Sequence, residues 1–357
     1  MKRLVFLTLL VALLLSLTAS TVLAQTANPI QAAADKYFSG GAKNMAAKDL
    51  YANLNDGDKT NDPYLIDIRA AADYANGHIP GAINMTAKDL FSAAGLAKLP
   101  KNKPIVVNCY TGQTASQSVA ALRMMGFDAY NLLYGIPGWG SNDKIKYSNH
   151  FTAEQSGKYA VTKDAAQLTG TNEAPKPLGD TVEAAAIAYF PGGFKATKAA
   201  DVYANLNDGD KSNDPVIIDV RKPEDYALGH IAGPANVTVA NLFKTETLAK
   251  LPKNKQIVVY CYTGQTASQA TGALRMLGYD AYNMQFGLPS WAIVEGVSTG
   301  VFDPAKNSGN YAFEVSAAPA AAAAAAPSTM PKTGSPLLAF ALSGLGLIGA
   351  GLALRKR

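Results

Sequence analysis

Apolar residues come along this chain in short runs set between longer stretches of helical spacing. Tyr64–Ile68, Ala82–Met85, Ile105–Asn108 and Ala129–Leu133 read as strands. A second set follows at Val216–Val220, Ala235–Val239, Ile257–Tyr260 and Ala281–Gln285. Helical segments lie between them, among them Ala70–Asn76, Ala87–Ala97 and Thr114–Met125. In the last, Ala115, Val119 and Leu122 fall on one face, and Thr114 is placed to cap the start. Strand–helix alternation of this kind predicts an α/β fold, a mainly parallel sheet flanked by helices on both faces. Such sheets bind ligands at the carboxyl ends of their strands.

The pattern occurs twice. Cys109–Gln117 and Cys261–Gln269 are the same nine residues, Cys-Tyr-Thr-Gly-Gln-Thr-Ala-Ser-Gln, set 152 positions apart. The same offset relates Tyr51–Lys59 to an identical Tyr203–Lys211, Asp67-Ile68-Arg69 to Asp219-Val220-Arg221, and Gly77-His78-Ile79 to Gly229-His230-Ile231. It also relates Leu99–Lys103 to Leu251–Lys255 and Trp139 to Trp291. A register kept without a gap over about a hundred residues is a duplication of whole domains, each large enough to bury a core. The organisation read from this is domain 1 over 38–145, a linker over 146–186 and domain 2 over 187–300.

The ends belong to neither domain. Lys2-Arg3, a leucine-rich run from Leu4 to Leu17 and then Val22-Leu23-Ala24 read as an export signal over 1–24, with an uncleaved membrane anchor as the alternative. Residues 316–329 are rich in Ala and Pro and read as an unpacked tether. Met330-Pro331-Lys332-Thr333-Gly334, the apolar stretch Pro336–Leu354 and Arg355-Lys356-Arg357 resemble the sorting signal of Gram-positive surface proteins, over 330–357. That resemblance implies a sortase-type transpeptidase and the cell wall as partners, with Met330 where Leu is usual. A simple transmembrane tail is the other reading, long enough to span a bilayer and with its cations on the inner side. Both readings place the domains outside the cell.

Lys plus Arg outnumber Asp plus Glu by 32 to 27, a formal charge of +5, and several of those cations lie in the two ends. The folded part is therefore near neutral, and no basic patch interleaved with aromatics suggests nucleic acid. The two cysteines of this exported chain do not make a disulfide framework, although a bond between Cys109 and Cys261 stays open on sequence alone. Each cysteine ends a buried strand just before a helix. Backbone N–H groups and the positive end of the helix dipole converge there and favour a thiolate.

Asp67-x-Arg69, Gly77-His78-Ile79-Pro80-Gly81-Ala82, Cys109-x-x-Gly112-x-Thr114 and Gly135-x-Pro137-Gly138-Trp139, in that order, resemble the rhodanese domain. The second unit matches with Asp219-x-Arg221, Gly229-His230-Ile231, Cys261-x-x-Gly264-x-Thr266 and Gly287-x-Pro289-x-Trp291. It departs at Ala232-Gly233-Pro234, where Pro-Gly-Ala becomes Ala-Gly-Pro. The resemblance spans Asn44–Ser141 and Thr197–Ala292 and implies two tandem rhodanese-like domains.

It also implies chemistry. A rhodanese cysteine attacks the outer sulfur of a donor such as thiosulfate, sulfite leaves, and a cysteine persulfide remains for an acceptor to remove. Small sulfur compounds are then the substrates, and no cofactor or metal is called for. In the substrate-binding loops, amides from Tyr110, Thr111, Gly112, Gln113, Thr114 and Ala115 would cradle the sulfur, as would those from Tyr262, Thr263, Gly264, Gln265, Thr266 and Ala267. Thr114 and Thr266 would add a hydroxyl. Related phosphatases place an Arg six positions after the cysteine; Ala115 and Ala267 stand there, which disfavours phosphate chemistry. The loops also lack the Arg or Lys common in rhodaneses strongly active on thiosulfate. Weak thiosulfate affinity is the expected result in steady-state kinetics, and a KM in the low micromolar range would contradict it.

Asp67–Arg69 and Asp219–Arg221 read as structural ties between the first strand and neighbouring loops. His78 and His230 read as structural too, each bonding a loop carbonyl, and His150 as a linker residue without counterpart. Trp139 and Trp291 read as core or pocket wall. Asn53-x-Asn55-Asp56-Gly57-Asp58 and its copy at Asn205–Asp210 lack EF-hand spacing and read as turns. Three function classes follow: a surface sulfurtransferase, a non-catalytic binding or scaffold module, and thiol redox chemistry. The last is limited by the absence of a second cysteine near either loop.

Overall fold

The computed structural model describes residues 28–147, 150–298 and 300–316. The export signal, most of the Ala/Pro tether and the sorting motif lie outside them. Among the described residues no helix is long and apolar enough to cross a membrane.

The first repeat runs α1 (Pro29–Phe38), β1 (Asn44–Met45), α2 (Ala47–Leu54), β2 (Tyr64–Asp67), α3 (Ala71–Ala75), β3 (Ile83–Asn84), α4 (Ala87–Leu90), α5 (Ala93–Leu96), β4 (Ile105–Asn108), α6 (Gln113–Met124), β5 (Ala129–Leu132) and α7 (Ile136–Trp139). The second follows the same plan: α8 (Val182–Tyr189), β6 (Ala196–Thr197), α9 (Ala199–Leu206), β7 (Val216–Asp219), α10 (Pro223–Leu228), β8 (Ala235–Asn236), α11 (Val239–Leu242), α12 (Thr245–Leu248), β9 (Ile257–Tyr260), α13 (Gln265–Met276), β10 (Ala281–Met284) and α14 (Leu288–Trp291). A last short helix, α15, spans Pro304–Asn307.

Each repeat builds one five-stranded parallel sheet, ordered β1-β5-β4-β2-β3 and β6-β10-β9-β7-β8. The central strands Ile105–Asn108 and Ile257–Tyr260 are buried throughout, as unbroken apolar runs in a parallel sheet covered on both faces should be. Pairing of Asp67 with Asn108 in register brings the ends of β2 and β4 level, so the loops that follow them share one edge of the sheet.

Three expectations change. The segment Ala87–Ala97 is two short helices: Ser92 accepts from Gly95 N–H and caps a new helix, which breaks the old one at Phe91. The strand expected to run to Val239 stops at Asn236, because Thr238 already stands at the N-terminal boundary of α11. The cap of the helix after each cysteine is Gly112 or Gly264, in the left-handed region at φ 80° and 79°, while Thr114 lies inside the helix.

The two sheets share a core. On their outer faces each has its own cluster, around Leu50, Val106 and Trp139 in one and Val202, Val258 and Trp291 in the other. On their inner faces Ile66, Val107 and Val119 join Ile218, Val259 and Leu274 in a single cluster. Helices α6 and α13 pack together at its centre. Small residues allow this: a Cβ placed at Gly272 would sit 3.2 Å from the Gln117 Cα.

Each repeat also lends its ends to the other. Phe38 at the end of α1 stacks on Phe243 of the second repeat at 4.5 Å, and Phe190 after α8 stacks on Phe91 of the first at 3.7 Å. The linker segment Ser156–Thr162 docks on domain 2, where Trp291 Nε1 donates to Ala160 O (2.9 Å) and Tyr159 stacks on Tyr203 (3.9 Å). The segment Ser308–Glu314 docks back on domain 1 in the same way. Trp139 Nε1 donates to Ala312 O (2.9 Å), and Tyr311 stacks on Tyr51 (3.9 Å). The chain thus folds as two repeats that embrace each other, and the linker over 146–186 is in part a docked strap.

Candidate functional site

Cys109 follows β4 directly, and the chain then turns tightly into α6. Cys109 Sγ accepts from Gly112 N–H (3.2 Å) and Ala115 N–H (3.4 Å), and the amides of Thr111 and Thr114 also face it. In the second repeat Cys261 Sγ accepts from Ala267 N–H (3.4 Å), with the amides of Thr263, Gly264 and Thr266 around it. Both thiols are free. The conformation depends on Gly112 and Gly264, whose positive φ lets the amides turn inward onto the sulfur. No hydrogen bond joins the Thr114 or Thr266 hydroxyl to sulfur among the described residues; the main-chain amides make the cradle.

Both sulfurs are buried, with Cys109 2% and Cys261 1% exposed. Burial pushes each thiol above the ordinary thiol value, and the surrounding amides oppose that shift without cancelling it. The expectation that the helix start favours a thiolate is therefore corrected: desolvation by burial outweighs the amides around each sulfur.

A second turn backs each loop. Ile136 N–H donates to Cys109 O, and Leu288 N–H to Cys261 O, both at 2.8 Å. Gly135 (φ 64°, ψ −151°) and Gly287 (φ 64°, ψ −153°) occupy backbone space that is essentially glycine-only. A Cβ at Gly135 would also lie 2.4 Å from Cys109 O and 2.8 Å from Thr111 N.

The side walls are fixed. Tyr110 Oη donates to Asp73 Oδ2 and accepts from Ala70 N–H (3.1 Å); Tyr262 does the same with Asp225 and Lys222 N–H (3.1 Å). Burial pushes both phenols up to about 12, so each stays protonated as a donor to its carboxylate. Arg69 and Asp67 form a buried pair at 2.6 Å, and the guanidinium spends its other donors on Gly77 O (2.7 Å) and Asp73 O (3.3 Å). Arg221 and Asp219 repeat this at 2.6 Å, with Gly229 O (2.9 Å) and Asp225 O (3.4 Å). These arginines shape the loop that starts at α3 or α10, their donors taken by Asp67 or Asp219 and by main-chain carbonyls. His78 Nδ1 lies 3.0 Å from Tyr74 O, and His230 Nδ1 lies 2.8 Å from Tyr226 O, each ring stacked on that tyrosine. Asp56 and Asp58 spend their oxygens on Asp58 N–H, Thr60 and Asn61, a self-contained turn.

His150 is not a free linker residue. It is 5% exposed, its Nε2 lies 2.6 Å from Tyr134 O, and its ring stacks on Phe302 at 4.3 Å. Phe302 is the residue at its own repeat position, 152 places on. Sequence reasoning also missed Gln117 and Gln269, which bond Tyr189 and Tyr37 of the opposite repeat. It missed as well the docked segments Ser156–Ala160 and Ser308–Ala312, whose shared Ser-Gly-x-Tyr-Ala carries the duplicated unit beyond its tryptophans.

Two parallel α/β domains, each with a cysteine in an amide cradle at the carboxyl edge of its sheet, define a class of covalent catalyst or anion binder. The profile described as "Rhodanese-like domain" matches residues 46–142 and 198–293, over half of the chain, and the chain belongs to that family. Relatives bear this out. The chain is 32% identical over 82 residues to the thiosulfate sulfurtransferase GlpE of Ectopseudomonas mendocina, covering 23% of this chain and 73% of GlpE. It is 36% identical over 76 residues to GlpE of Shewanella oneidensis, covering 21% and 73%. It is 36% identical over 77 residues to the probable adenylyltransferase/sulfurtransferase MoeZ of Mycobacterium tuberculosis, but that match spans only 20% of MoeZ.

Proposed function

We propose that this chain is an exported, surface-anchored sulfurtransferase in which Cys109 and Cys261 each carry sulfane sulfur as a persulfide. The observation that carries the reading is the ring of inward-facing amides around each Sγ, present twice in one chain. The thiol first loses its proton to solvent. The thiolate attacks the outer sulfur of thiosulfate or of a persulfide or polysulfide; the new S–S bond forms as the old one breaks, and sulfite or a thiolate leaves with the electron pair. Cysteine persulfide remains, and the amides stabilise its terminal negative sulfur. A thiol or cyanide then attacks that sulfur, and the cysteine thiolate is restored. Thiosulfate is the donor in the names of the GlpE relatives. The uncharged loops favour donors that lean less on a fixed cation. The signal and sorting motif read from 1–24 and 330–357 support a location outside the cell, attached to wall or membrane.

The test is intact-mass and peptide mass spectrometry of each single-cysteine variant after incubation with thiosulfate or a polysulfide. Gain of one sulfur on the remaining loop peptide is the expected outcome. The competing reading, a surface binding module that keeps the fold without turnover, draws on the burial of both sulfurs and their raised thiol values. It predicts no gain on either loop with any donor.

A further inference from the structure

The first residue of the helix after each cysteine is a buried glutamine, and neither of its carboxamide oxygens serves its own loop. Gln265 Oε1 accepts from Asn131 Nδ2 (2.8 Å) and from Tyr134 N–H (3.1 Å), both in the first repeat. Gln113 Oε1 accepts from Asn283 Nδ2 (2.8 Å) and Phe286 N–H (3.3 Å), both in the second. Tyr134 and Phe286 stand at φ 65° and 63°, an uncommon conformation for side-chain-bearing residues, and each immediately precedes the glycine that backs the opposite cysteine loop. The contact also reaches the cradle directly. A Cβ at Gly112 would lie 2.4 Å from Gln265 Oε1, and one at Gly264 would lie 2.7 Å from Gln113 Oε1. Gly112 N–H is one of the donors to Cys109 Sγ.

We propose that Gln113 and Gln265 are positioning residues that act across the repeat interface: Gln265 sets the amide cradle of Cys109, Gln113 sets that of Cys261, and the two sulfur sites are therefore coupled. The physical chain is short. A glutamine oxygen holds a strained turn in place, and that turn holds the cysteine carbonyl. The same oxygen packs on the glycine whose amide faces the sulfur. Loosening one helix start, by loading or alkylating its cysteine, shifts the glutamine and with it the opposite cradle. The meaning for sulfur transfer rests on the function proposed above, but the coupling can be read from thiol reactivity alone.

The experiment uses the full chain with Cys261→Ala, so that Cys109 is the only thiol, and follows its alkylation by iodoacetamide against pH. Gln265→Met keeps the side-chain length and removes the acceptor. Its expected effect is an upward shift of the apparent Cys109 titration by about 0.7 pH unit, a fivefold fall in thiolate fraction, the factor for one weakened hydrogen bond to an ionised group. Gln113→Met in that background, which on the Cys109 side removes only the 3.3 Å bond from its Nε2 to Thr111 Oγ1, shifts the midpoint by less. With Cys109→Ala the two variants exchange roles. An uncrossed pattern, in which each glutamine moves its own cysteine, or no shift in either background, overturns the proposal. Should the methionine variants not fold, the Cys109→Ala chain gives the same answer without them: alkylating Cys261 raises amide hydrogen exchange over 130–138 in the first repeat. Unchanged exchange there counts against coupling. A chain that shows the crossed shift yet gains no sulfur from any donor would refute the sulfurtransferase reading alone.

Discussion

Replacing both Cys109 and Cys261 by alanine removes sulfur transfer down to the uncatalysed rate, and either single replacement leaves one transferable sulfur per chain. These are the only cysteines in the sequence, so no other thiol can take over covalent transfer. The amides that remain can still bind an anion, but they cannot form the S–S bond on which the two-step route depends. The single variants should each keep activity because each loop carries its own set of amides, its own tyrosine–aspartate wall and its own backing glycine. The measurement is thiocyanate formation from thiosulfate and cyanide, together with intact mass after donor treatment. Since burial holds both thiols above their ordinary value, activity in the parent should climb with pH through the alkaline range, where the thiolate becomes populated. Turnover that survives the double replacement would move the chemistry away from these loops.

The central strands were legible because a parallel strand covered on both faces must be apolar without interruption, and Ile105–Val107 and Ile257–Val259 are. The edge strands β1 and β6 were not, although the opposite edges β3 and β8 were. Asn44–Met45 and Ala196–Thr197 pair over only two residues and are half-buried, which leaves no run to detect. The cysteine loop was legible because its chemistry is local, spread over seven consecutive residues from a strand end to a helix start. Its electrostatic balance was not: the dipole can be read from sequence, whereas burial of Cys109 to 2% follows from what packs over it. The interface lay furthest from view. Gln265 and Tyr134 are 131 residues apart, and nothing near either in sequence names the other. The repeat itself held the missing information, since Ser156–Ala160 and Ser308–Ala312 share a motif at the same offset as the cysteines. Two equivalent segments that each follow one domain can satisfy the same tryptophan on the other.

Acidification from pH 6.5 towards 4 should cost this fold about 3 kcal/mol through His150 alone, from the pKa difference between its free and buried forms. Burial against Phe302, Phe286 and Tyr134 lowers the imidazole to about 4 from the ordinary 6.5, and the bond to Tyr134 O offsets only part of that. The sign follows from proton binding. Between these two values the unfolded chain holds a proton on His150 that the folded chain does not, so stability is full above 6.5 and falls as pH drops towards 4. Carboxylates elsewhere add to the acid sensitivity, and the way to isolate His150 is to replace it with the residue at its own repeat position. In His150→Phe, Tyr134 O loses its partner, so at pH 7 the variant should be less stable by about 1–3 kcal/mol. Its stability should then decline less steeply with acid, and the two curves should converge or cross near pH 4. Urea denaturation followed at several pH values measures both slopes. Parallel curves would mean that His150 becomes protonated in place without cost. Convergence would mean that His150, one of the positions at which the two repeats differ, also makes their interface sensitive to acid, on the side of the molecule where Tyr134 backs Cys109.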